Sequence, residues 1–294
     1  MRVVQLIVIS LLFFTGPVSA DYSRDQTMTI ARLNSIDIAY TTVGNESAPP
    51  VLMVMGLTGS HRLWGEDLIG GLVDAGYRVV LFDNRDTGES ARLDMLGNPT
   101  LWWQLLKNAI GFDVDAPYSL NDMAADGIAV LDELGIDQAH IVGASMGGMI
   151  AQIIAAEYPA RTESLVSIMS TTGAPHLPAP ESQAQSDLQG IADTGEEGEA
   201  DMHEMGIYPK AMPRQLMAII SAGDRSEQVS GIDVPTLVLH GEDDTLLPPP
   251  HGAHTHELIV GSEYITYPGM GHNMPPQVVP QMVVAMTRHF ETEQ

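Results

Sequence analysis

An α/β fold, a mostly parallel sheet of eight strands with helices on both faces, is what the sequence predicts. Short apolar or β-branched runs alternate with amphipathic stretches along most of the chain, the order produced when strands are joined through helices into a parallel sheet. The 294 residues are 44% hydrophobic and only 17% charged. Such a composition supports a full core in one domain and leaves little room for disordered tracts.

Taken in order, residues 1–20 read as a secretory signal. Arg2 gives a positive start, residues 6–14 an apolar core, and Val18-Ser19-Ala20 a small-residue cleavage site. The apolar run is far shorter than the roughly 20 residues that cross a bilayer. Cleavage after Ala20 and a periplasmic or secreted mature protein, without stable membrane insertion, are therefore expected. Residues 28–33 and 36–41 suit an opening hairpin, and residues 51–55, 78–82, 140–142, 165–169, 236–240 and 264–267 are compact apolar runs suited to buried strands. Among the helices, 120–134 carries Leu120, Met123, Ile128, Leu131 and Leu134 with Asp and Glu elsewhere, 149–157 is apolar or small almost throughout, and 278–290 closes the chain.

Residues 173–232 break the alternation. Pro175, Pro178 and Pro180 open the stretch, an acidic run with Gly198 follows, and only 215–220 reads as helical. The expected organisation is thus a signal (1–20), a core (21–172), a small cap insertion (173–232) and the rest of the core (233–294). Met205, Ile207, Met217 and Ile220 are the cap's candidate apolar wall, or equally its packing on the core.

The strongest chemical signal is Gly143-Ala144-Ser145-Met146-Gly147-Gly148, which follows the strand 140–142 and precedes a helix beginning near Met149. Strand, G-x-S-x-G, helix is the context of a nucleophile elbow: the serine sits on a sharp turn, and the glycines let the two backbones approach. A serine hydroxyl needs a base. Pro268-Gly269-Met270-Gly271-His272, directly after the last strand, offers His272. The acid that orients it falls between the two in chain order, and Asp244, three residues after Gly241, fits that place, with the adjacent Asp243 as the alternative. Backbone N–H groups of Leu57, at the end of the strand 51–55, and of Met146 could form an oxyanion hole; an ordinary glycine turn at Gly56 is the other reading. His61 and Trp64 suit either a pocket lining or the core. Residues 83–90 read as a turn held by side-chain to backbone bonds.

Other chemistries are disfavoured. With no cysteine, disulfides, metal thiolates and a cysteine nucleophile are excluded. His251, His254 and His256 are close in sequence, but 254 and 256 fall on different helix faces, which argues against a metal site. A formal charge of −25 repels nucleic acid and anionic lipid headgroups.

Together, Gly56-Leu57, residues 83–88, residues 143–148, residues 241–248 and residues 268–272 resemble the α/β-hydrolase superfamily, and in detail its aclacinomycin methylesterase-like carboxylesterases, from about residue 28 to 290. The resemblance implies a cap after the sixth strand, no cofactor, and hydrolysis of a small-molecule ester through an acyl-enzyme on Ser145, with His272 as base and Asp244 as its partner. Met55 stands where many relatives have histidine, and Asp86 where a glycine is common. The same triad could also act on lactones, amides or peptides, or in perhydrolysis, and the fold could serve as a binding protein without turnover.

Overall fold

The structure, a computed structural model, describes residues 26–291 apart from 101, 102, 105, 108–111, 113, 193 and 195. The expected signal, residues 1–20, lies outside the described residues. One sheet contains β1 (Thr29–Leu33), β2 (Ile36–Val43), β3 (Pro50–Val54), β4 (Arg78–Phe82), β5 (Ala139–Ala144), β6 (Thr162–Ile168), β7 (Thr236–Gly241) and β8 (Glu263–Tyr267). Their order is β1-β2-β4-β3-β5-β6-β7-β8. The pairs β1–β2 and β2–β4 are antiparallel and all the others parallel. Each run expected to be a strand is one, with its ends moved by a few residues.

The core lies on both faces because successive side chains of a strand alternate. Along β3, Leu52 and Val54 belong to one apolar cluster and Val51 and Met53 to the other. On the first face α2 (Leu120–Glu133) and α3 (Met146–Glu157) contribute Met123, Leu131, Ile150 and Ile154. On the second, α1 (Glu66–Asp74) and α9 (Val279–Glu291) contribute Leu68, Leu72, Met282, Met286 and Phe290. Each such side chain taken from water stabilises the fold by roughly 1.5–3 kcal/mol. α2 starts at Ser119, whose hydroxyl accepts from the Asp122 N–H while the Asp122 carboxylate takes the Ser119 N–H, a capping box.

Two expectations need correction. The helix after the elbow begins at Met146 rather than Met149; Gly147 and Gly148 read as a turn by propensity, yet packing draws both into the first helical turn. The insertion is also more regular than its Pro-rich and acidic sequence suggested. Between β6 and β7 it forms α4 (Ser182–Ala192), α5 (Glu196–Glu204), a 3₁₀ turn at Pro209–Ala211, α6 (Met212–Ala222) and α7 (Ser226–Ser230). In α5, Glu199 lies one turn before His203 and 3.0 Å from Lys210, which supports a helix through Gly198. α8 (Pro250–Leu258) then joins β7 to β8.

Candidate active site

Ser145 occupies the bend between β5 and α3 with φ 56° and ψ −121°. A left-handed conformation at a residue with a side chain costs about 1–3 kcal/mol and persists only where neighbours impose it. Here the Ser145 N–H donates to the Ile168 carbonyl at 2.9 Å, and the Ser145 carbonyl accepts from the Ser170 hydroxyl at 2.8 Å. The flanking glycines are required by space. A Cβ on Gly143 would lie 2.1 Å from the Gly147 carbonyl oxygen, one on Gly147 1.9 Å from that of Val54, and one on Gly148 2.5 Å from the Ser170 Cβ. The bend leaves Ser145 half-buried at the N-terminus of α3, where the helix dipole favours negative charge.

The chain then delivers two more groups from the ends of neighbouring strands. His272, in the loop after β8, has Nε2 2.8 Å from Ser145 Oγ and Nδ1 2.8 Å from Asp244 Oδ2. A carboxylate can only accept, so Nδ1 carries the ring proton and Nε2 is left to accept from the serine hydroxyl. Asp244, after β7, is buried, and its Oδ1 accepts from the N–H groups of Leu246 and Leu247 at 2.9 and 2.8 Å. Asp243 is exposed, and its carboxylate accepts instead from the Gly269 N–H at 3.0 Å. Behind Asp244, the buried His240 donates Nε2–H to the Leu247 carbonyl at 2.7 Å, and burial holds its pKa below the ordinary histidine value.

The turn after β3 faces the same point. A Cβ on Gly56 would sit 3.1 Å from the Ser145 Cβ. The Gly59 N–H donates to the Gly56 carbonyl at 3.2 Å, and Thr58 between them has φ 60°. In a trans peptide the Leu57 N–H points opposite to that carbonyl. Neither the Leu57 nor the Met146 N–H donates a hydrogen bond among the described residues. Asn84 steadies the strand end by donating Nδ2–H to the Met55 carbonyl at 2.8 Å.

Residues 83–90 form the side-chain-tied turn that their composition suggests. Asp83 is fully buried and accepts from the His61 backbone N–H and ring Nδ1, both at 2.8 Å, and from the Glu89 N–H at 2.8 Å. Burial alone would raise its pKa, but these bonds and the His61 ring hold it low. His61 and Trp64 are both core residues here, each about 2% exposed. Asp86 has φ 74° and accepts from the Leu93 N–H, the Tyr118 hydroxyl, and the Nε–H and Nη2–H of Arg214.

The three neighbouring histidines disperse: His251 meets Thr171 and the Pro178 carbonyl, His254 meets Thr172, and His256 meets Ser262. No group of three or more His, Asp or Glu side chains that could hold a metal occurs among the described residues. No helix among them is long and apolar enough to cross a membrane. Surface cavities of about 290 and 540 Å³ are lined by residues 96–99, 104 and 115–117, and by residues 176–178, 249, 250, 253, 254, 257, 264 and 266 respectively; neither lining includes Ser145, Asp244 or His272.

Comparison with known proteins accords with this geometry. A family model for the alpha/beta hydrolase fold matches residues 49–194. The chain is 26% identical over 296 residues to the rhodomycin D methylesterase DnrP of Streptomyces peucetius, covering 84% of this chain and 92% of that one. The chain is a member of the α/β-hydrolase superfamily. Its fold is shared with the enol-lactonase from Burkholderia xenovorans LB400, at 20% identity and a TM-score of 0.67 over 90% of this chain and 100% of that chain. It is shared too with the esterase RhEst1 from Rhodococcus sp. ECU1013, at 23% identity and a TM-score of 0.67 over 92% and 100%.

Sequence reasoning about this hydrolase passed over what the insertion contributes. Arg214 and Gln215 lie in the first turn of α6 and are no more than 1% exposed. Arg214 pairs with Asp86 at 2.9 Å and reaches Asp94 and Asn98. Gln215 accepts from the Thr58 N–H at 2.7 Å and donates to the Arg85 carbonyl at 3.1 Å. Arg225, before α7, reaches the Met149 and Thr171 carbonyls and Gln152, and burial pushes its pKa down to about 10. The only available signal was a polar pair, Arg214-Gln215, inside an otherwise apolar helix. Their partners lie 128 and 157 residues away, beyond what spacing can reveal.

Proposed function

We propose that the protein is a serine esterase acting on small-molecule carboxylic esters outside the cytoplasm, after loss of residues 1–20. The observation that carries this reading is the continuous chain Ser145 Oγ, His272 Nε2, His272 Nδ1, Asp244 Oδ2, with 2.8 Å at each hydrogen-bonded step. In the cycle, His272 Nε2 takes the Ser145 proton as Oγ attacks the ester carbonyl. The N–H groups of Leu57 and Met146 hold the oxyanion as the carbonyl oxygen gains charge. The bond to the alcohol oxygen breaks, His272 returns the proton to that oxygen, and the alcohol leaves an acyl group on Ser145. Water, deprotonated by His272, attacks the acyl carbon, and the acid leaves as Oγ regains its proton. No metal or cofactor is required by any step. An ester is favoured over other acyl compounds because the methylesterase relative spans most of both chains.

The test is a panel of p-nitrophenyl esters from acetate to palmitate, with a lactone and an anilide beside them. Ser145→Ala should lower kcat by at least about a thousandfold while the protein still folds. Activity that survives in Ser145→Ala would sink the assignment, and a preference for the anilide would move the substrate class.

A further inference from the structure

We infer that Ser170, just after β6, is a positioning residue for the Met146 N–H: its hydroxyl holds the carbonyl end of the peptide whose other end is that oxyanion donor. The inference rests on the serine-esterase reading above.

Ser145 stands at the last rung of the ladder between β5 and β6. Ala144 is paired with Ile168, and the Ser145 N–H donates to the Ile168 carbonyl at 2.9 Å. In a parallel ladder that ran one step further, the Ser145 carbonyl would accept from the Ser170 N–H. The left-handed bend at Ser145 turns that carbonyl into α3 instead, where it accepts from the Gly148 and Met149 N–H groups at 2.9 and 3.2 Å. The Ser170 side chain still reaches it: a carbonyl can only accept, so the hydroxyl donates, at 2.8 Å. The two helical bonds tie the Ser145 carbonyl to its own helix alone. The Ser170 bond ties it to the sheet.

The peptide so held joins Ser145 to Met146. It is trans, so its N–H points opposite to its carbonyl and the two turn together as one rigid plane. A donor fixed on the carbonyl oxygen therefore fixes the direction of the Met146 N–H. It also strengthens that N–H as a donor, because hydrogen bonds in a chain polarise one another. The first N–H of a helix has no partner within the helix, and an oxyanion site works by having such donors aimed in advance.

The fold accommodates this hydroxyl by strain and by space. Met169, between Ile168 and Ser170, has φ 40°, and its N–H donates to the Leu239 carbonyl at 2.8 Å. A left-handed residue with a side chain persists only where its surroundings impose it. Ser170 itself is 2% exposed. On the facing helix, a Cβ at Gly148 would lie 2.5 Å from the Ser170 Cβ and 2.7 Å from its Oγ. Gly143 and Gly147 are required by the backbones of the elbow, whereas Gly148 is required by Ser170.

Ser170→Ala should lower kcat for p-nitrophenyl acetate about 5- to 30-fold, part of the roughly 100- to 1,000-fold that losing an oxyanion donor outright costs. KM should stay within about twofold. The inhibition constant of a trifluoromethyl ketone, whose serine adduct carries an oxyanion, should rise by about the same factor as kcat/KM falls. In protein labelled with 15N-methionine, the Met146 amide proton should move to lower field when that adduct forms, and by less in Ser170→Ala. Ser170→Cys, closer in shape and only a weak donor, serves the same comparison if the alanine variant does not fold. A folded Ser170 variant with kcat within about twofold of wild type, or with the wild-type Met146 shift on adduct formation, would overturn the inference. Activity in Ser145→Ala run alongside would remove the serine mechanism and this role with it. An inactive Ser145→Ala beside an unimpaired Ser170→Ala would remove only the role of Ser170.

Discussion

Residues 182–204 and 205–231 belong to one insertion, yet they are attached in different ways. The first stretch bonds chiefly to its own neighbours, as with Gln185 to the Pro180 carbonyl and Gln183 to Asp187. The second drives Arg214, Gln215 and Arg225 into the core, onto Asp86, the Thr58 N–H and the Met149 carbonyl. A buried guanidinium without partners would be expelled. Each of these finds carbonyls, a carboxylate or an amide oxygen on the core, so the second stretch cannot lift away without stranding charge. What resembles a lid from its place in the chain is, over its second half, tied into the core.

The sharpest way to break this contrast is Arg214→Ala, which leaves Asp86 buried beside Tyr118 without its cation. Removing one partner of a buried pair typically costs about 3–5 kcal/mol, and urea unfolding should show a loss of that order. A loss below about 1 kcal/mol, as for an exposed pair, would mean that the second half is attached no better than the first.

Acid offers a way to weaken the sheet while touching neither half. His140 in β5 is fully buried, stacks on Phe290, and has its pKa pushed down to about 4 by burial and by His289. A histidine whose folded pKa is depressed is protonated more readily when unfolded. Stability is therefore complete above the unfolded value of 6.5 and falls as pH drops from there toward 4. The loss should approach about 3 kcal/mol. His140→Phe should flatten the decline of Tm over that range. An unchanged slope would place the acid sensitivity elsewhere.

The smallest effect is expected in the first half. Replacing residues 183–201 by a Gly/Ser linker of equal length should cost no more than about 1–2 kcal/mol, because few buried side chains are removed. It should leave p-nitrophenyl acetate hydrolysis within about threefold while flattening preference among acyl lengths. If acetate turnover disappeared in a protein that still folded, the division of the insertion would be wrong.

The same contrast marks what the sequence could convey. The strands were legible because apolar runs buried on both faces have no other use, and the glycines of the elbow because backbone contacts of about 2 Å forbid a side chain. Ser145, Asp244 and His272, chosen from order and spacing, are adjacent in the structure, and the choice of Asp244 over Asp243 matches their burial. Helices α4 and α5 were hidden by a composition that local rules assign to loops. Asp86 stood out only as a departure from glycine. Its positive φ explains why a glycine suits that place, and Arg214, from a distant helix, explains how an aspartate fills it.

In the proposed mechanism, the separation of the nucleophile Ser145 from its base His272 by 127 residues has a consequence for how the protein comes to life. The nucleophile, its elbow and the helix behind it are complete early in the chain, but the base arrives only after the last strand. A chain cut short, or one whose final strand and helix have not docked, carries a serine with nothing to take its proton. Recovery of ester hydrolysis during refolding should therefore lag the return of helical signal and keep pace with docking of β8. The activity itself becomes a clock for the last step of folding.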